Sequence, residues 1–82
     1  MLKDNSKQQL IQATTDKFIS EKSEAKYNID NIIKGNYGNN PINDLYVFVK
    51  QLIVSELAIE MMQNIYQEEY KKEQDIIKED VE

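Results

Sequence analysis

Two carboxylates, Glu56 and Glu60, stand four residues apart, the spacing that brings side chains together on one face of a helix. Such a pair could hold a hard cation or divide the roles of acid and base. Carboxylate metal sites in helical bundles usually add a histidine three residues on, and this chain has no histidine. The pair is therefore expected to belong to a solvent-facing stripe.

The segment Gly35-Asn36-Tyr37-Gly38-Asn39-Asn40-Pro41 is the second place where chemistry could gather. Its two glycines could let backbone approach a ligand. A phosphate-cradling loop carries a fuller glycine pattern, then a lysine and a hydroxyl opening the next helix. Ile42 and Asn43 stand there instead. The segment reads as a turn, with Gly35 suited to the left-handed residue that ends a helix. Asn40 and Pro41 suit an N-cap and a first-turn proline.

Composition narrows the chemistry further. The chain lacks cysteine, so there is no disulfide, thiol nucleophile or zinc-thiolate site. Without histidine it loses the commonest general base and metal ligand. All 10 basic residues are lysines, which removes bidentate guanidinium capture of phosphate or carboxylate. No catalytic residue, cofactor-binding residue or metal ligand is assigned, and a non-catalytic protein is expected.

The net charge of −5 is unevenly placed. From Gln63 onward seven acids face Lys71, Lys72 and Lys78, giving −4; the first 62 residues contribute only −1. No basic patch exists to displace counterions from a nucleic-acid backbone, so direct nucleic-acid binding is not expected. Glu68, Glu69, Glu73 and Asp75 form a candidate acidic surface for a basic partner. The start, MLKDNSKQQL, has no apolar run of signal-peptide type. Lys50, Gln51, Glu56 and Glu60 interrupt the central apolar stretch, so no membrane span is expected and a cytoplasmic location is.

These residues must be positioned by helices. Ser6 and Gln9 match a capping box, and Ile11, Phe18, Ala25, Ile29 and Ile32 then recur on one helical face, with Thr15 and Lys22 in the same stripe. A helix over about 6–34 is expected, with a break near 20–24 as the alternative. After a loop at 35–40, a long helix spans about 41–72, followed by a charged tail, 73–82. In this second helix Leu45, Phe48, Leu52, Ile59, Met62 and Tyr66 keep a three-four spacing, with Ser55 filling the gap. Tyr46, Val49, Ile53, Leu57 and Met61 form a second row, and Val47, Val54, Ala58 and Ile65 a third. The β-branched and aromatic content of residues 45–54 also admits a strand, although the alternation of a strand is missing.

A helix apolar nearly all round is a buried one, and a chain of 82 residues has little with which to bury it. The expected fold is all-α: a single domain, 1–82, forming a helical hairpin or three-helix bundle that dimerises into a four-helix-like bundle. Leu45, Phe48, Leu52, Ile53, Ile59, Met62 and Tyr66 are expected in its core or interface. Function is then expected to be protein interaction, as a small inhibitor or regulator acting on a basic host surface. The abundance of Asn, Lys, Ile and Gln fits an AT-rich genome, that of a low-GC bacterium, its phages or plasmids, or of some protists. The layout, with an amphipathic helix opening on Pro41-Ile42-Asn43-Asp44-Leu45, also resembles the small helical bacteriocin immunity proteins. That likeness implies a compact helical protein acting by binding. A structural piece of a phage or conjugation assembly is a further alternative.

Overall fold

The computed structural model describes the backbone of residues 2–36 and 38–81, and the side chains of residues 6–36 and 38–72. Two helices make up the fold, α1 (Leu2–Ile33) and α2 (Pro41–Val81), with no strand among the described residues. They pack against each other as an antiparallel hairpin. Lys7 near the start of α1 meets Glu69 in the last third of α2, and Gln51 meets Glu21 and Glu24 midway.

The connection obeys local rules. Gly35 has φ 104°, and its N–H donates to the Ile32 carbonyl while the Asn36 N–H reaches back to Asn31. These are the two hydrogen bonds of a Schellman motif, which satisfies carbonyls that the end of α1 would otherwise leave open. Across the loop, Asn40 Oδ1 accepts from the Asn43 N–H at 3.1 Å, capping α2 with Pro41 as its first residue. At the end of α1 a hydrogen bond to Asp30, 2.8 Å long, and that carboxylate's charge hold the Lys34 ammonium above its ordinary pKa.

Both helices run further than the spacing predicts. α1 begins at Leu2 rather than Ser6, since nothing in Leu2–Asn5 stops a helix, and Ser6 therefore lies inside it instead of capping it. It is one helix without a break at 20–24. That polar stretch contains no glycine or proline, and Lys22 leaves the seam by extending its stem until Nζ lies 3.8 Å from Glu56. α2 passes residue 72 and continues to Val81, again with no breaker in its path. Residues 45–54 are helical throughout, so packing of the apolar rows overrides their β-propensity.

The seam between the helices follows heptad spacing on both sides. Along α1 the inward positions are Ile11, Thr15, Phe18, Lys22, Ala25, Ile29 and Ile32. Along α2 they include Leu45, Phe48, Leu52, Ser55, Ile59 and Met62. Ala25 and Ser55 are both fully buried, so the seam is tightest where its residues are smallest. Polar members of the seam satisfy themselves locally. Thr15 Oγ1 donates to the Ile11 carbonyl at 2.8 Å and Ser55 Oγ to the Leu52 carbonyl at 3.0 Å. No buried polar side-chain atom among the described residues lacks a partner.

The resulting shape is a rod of 64 × 19 × 15 Å with a radius of gyration of 18.7 Å. A globular chain of this length would have a radius near ~12 Å. A rod two helices thick has little interior, and among the described residues only Ala25, Ile32 and Ser55 are buried. No helix among them is long and apolar enough to cross a membrane.

Candidate functional site

The Glu56–Glu60 pair lies on the surface with both side chains exposed. Glu56 faces Lys22 across the seam rather than an enclosed cavity. No group of three or more acidic, histidine or cysteine side chains converges among the described residues.

The acidic surface is divided. Glu68 is exposed, but Glu69 sits between Lys7 at 3.4 Å and Lys72 at 3.6 Å. The charge of Lys7 first, then that of Lys72, holds its carboxyl below the usual range. Part of the negative charge expected to meet a basic partner is therefore balanced within the hairpin. The side chains of Glu73 and Asp75 lie outside the described residues, as does Tyr37.

The seven residues assigned to core or interface divide in two. Leu45, Phe48, Leu52, Ile59 and Met62 are half-buried along the seam, whereas Ile53 and Tyr66 are exposed. Tyr66 occupies a seam position but borders an open cleft of about 870 Å³ between the helices, with Ile11, Ile19 and several glutamines around it. Ile53 points away from α1 altogether. A second, smaller cleft of about 300 Å³ lies at the loop end, between Ile32, Ile33, Ile42 and Leu45.

Ile53 belongs to a group of exposed apolar side chains on α2. Tyr46, Val47, Ile53, Val54, Leu57 and Met61 are each between 46% and 63% exposed. By helical spacing they share the side of α2 opposite the seam. They span four turns with only Lys50 and Glu60 among them. The Lys50 ammonium lies over the Tyr46 ring, 5.1 Å from its centre, so its stem runs along the same face. Ile42 and Val49 extend the apolar surface at one border. The second and third apolar rows of the sequence thus merge into one outward band.

One contact lay outside the sequence reading. Gln51, which interrupts the apolar stretch of α2, donates from Nε2 to the Glu21 carbonyl at 2.9 Å and to Glu24 Oε1 at 3.2 Å. Its position one residue before the seam member Leu52 was the available signal. Compared with known protein families, curated proteins and solved structures, the chain matches none.

Proposed function

We propose that this chain is a non-catalytic protein-interaction module whose contact surface is the outer face of α2, and that its working form is a homo-oligomer. The observation that carries this reading is the continuous band from Tyr46 to Met61. Soluble monomers rarely expose contiguous apolar patches beyond a few hundred Å². Six half-exposed large side chains over four turns approach the size of one partner's share of a small protein interface, roughly 800 Å². The scant interior points the same way, since small scaffolds with little core commonly add stability by oligomerising.

The test is a charge placed in the centre of the band. Leu57→Glu leaves the seam untouched, so the hairpin should stay helical by circular dichroism. Association should be lost in light scattering coupled to size exclusion. If the variant associates as the parent does, the contact surface lies elsewhere and the reading fails.

A further inference from the structure

We infer that the outer face of α2 is covered by the same face of a second copy running antiparallel, around a two-fold axis at the level of residue 55 along the helix. This rests on the reading of that face as the contact surface and adds its occupant and orientation. Charge decides the orientation. The band carries one cation, Lys50, toward one end and one anion, Glu60, toward the other, and both are exposed. Their midpoint is residue 55. An antiparallel partner centred there sets each Lys50 against the second copy's Glu60, twice over by symmetry. A parallel partner would set lysine against lysine and glutamate against glutamate.

The rest of the helix makes the same choice. Residues from Gln63 onward carry −4 in each copy. Parallel pairing would align those stretches side by side, and like charges in apposition disfavour a complex. Antiparallel pairing sends them to opposite ends. Between the two cross-pairs lie Ile53, Val54 and Leu57, the apolar centre of the band, with no charge to desolvate.

The assembly that follows has the two α2 helices in the middle and the α1 helices outside. The surface of α1 suits that place. Its exposed apolar residues Leu10, Ile19, Tyr27 and Ile33 fall at scattered positions and form no band.

The experiment uses the absence of cysteine, which makes any single introduced thiol an unambiguous reporter. A disulfide needs Cα atoms roughly 4.4–6.8 Å apart. Val54→Cys, one residue from the axis, should give a covalent dimer under mild oxidation. Tyr46→Cys should not, because nine residues on each side separate the two thiols by about 27 Å along the helix. Lys50→Glu should weaken association at low salt, and adding Glu60→Lys to it should restore association. Cross-linking at both positions, or indifference to Lys50→Glu, would overturn the antiparallel arrangement while leaving the contact surface in place. A parent chain that stays monomeric at every concentration would remove the second copy as occupant. A dimer insensitive to Leu57→Glu would remove the contact surface itself.

Discussion

The outward sides of the two helices differ although their inward sides are built alike. Each presents a heptad seam with a small buried residue, Ala25 on α1 and Ser55 on α2. Away from the seam α1 is mainly lysine, acid and amide, with isolated exposed apolar side chains such as Tyr27. Between Tyr46 and Met61, α2 instead carries a second apolar band. A helix needing only one partner resembles α1. The contrast is the ground on which we propose a partner for α2 and none beyond the hairpin for α1.

The largest expected effect sets the two outer sides against each other directly. Leu57 and Tyr27 are both more than half exposed, at 57% and 69%. On solvent exposure alone, a glutamate at either should be equally harmless. Leu57→Glu should dissociate the assembly across the micromolar range, whereas Tyr27→Glu should leave the solution mass unchanged. Equal behaviour of the two would erase the distinction between the helices.

Next comes the seam. Ala25→Leu inserts three carbons where the side chain has no exposed surface, and overpacking of this kind costs about 1–3 kcal/mol. The loss would appear as a lower urea midpoint in the Leu57→Glu background, where association does not contribute. An unchanged midpoint would mean that the seam is looser at its centre than its burial implies.

A smaller effect is expected at the connection, which serves both helices equally. A Cβ on Gly35 would meet nothing within 4 Å, so only the backbone, at φ +104°, resists substitution. Gly35→Ala should therefore cost about 1–2 kcal/mol and leave the solution mass unaltered. A change of mass would show that loop geometry, and not the outer band, sets the assembly.

The smallest effect belongs to the ion pair that ties the start of α1 to α2. Because Lys7 and Lys72 depress the pKa of Glu69, its contribution is present above the ordinary carboxylate value. It fades as pH falls through the depressed one. The carboxylate is well solvated, so the effect is slight. Glu69→Gln should lower thermal stability marginally near neutrality and not at all in acid. A difference that persists in acid would assign the loss to packing.

Much of the hairpin could be read from spacing. The row Leu45, Phe48, Leu52, Ser55, Ile59, Met62 is inward as its three-four rhythm requires, and Thr15 and Lys22 do occupy the stripe of α1. The helix ends were less accessible. A capping motif at Ser6 marks a favourable start but cannot prevent a helix from beginning earlier, at Leu2. The contact of Gln51 was not legible, because residue type alone does not separate a polar group facing water from one reaching across to Glu21. Ile53 could not be assigned to core or outer face from the sequence, since in a helix apolar nearly all round the pattern has more rows than one partner can cover. Only the position of α1 tells the rows apart.

The most direct test is the solution mass of the unmodified chain, measured by light scattering coupled to size exclusion over a wide concentration range. The outward band on α2 predicts a species of twice 9.6 kDa that dissociates only on dilution. A mass of 9.6 kDa at every concentration would contradict it, and α2 would then be stable in water with its second face uncovered.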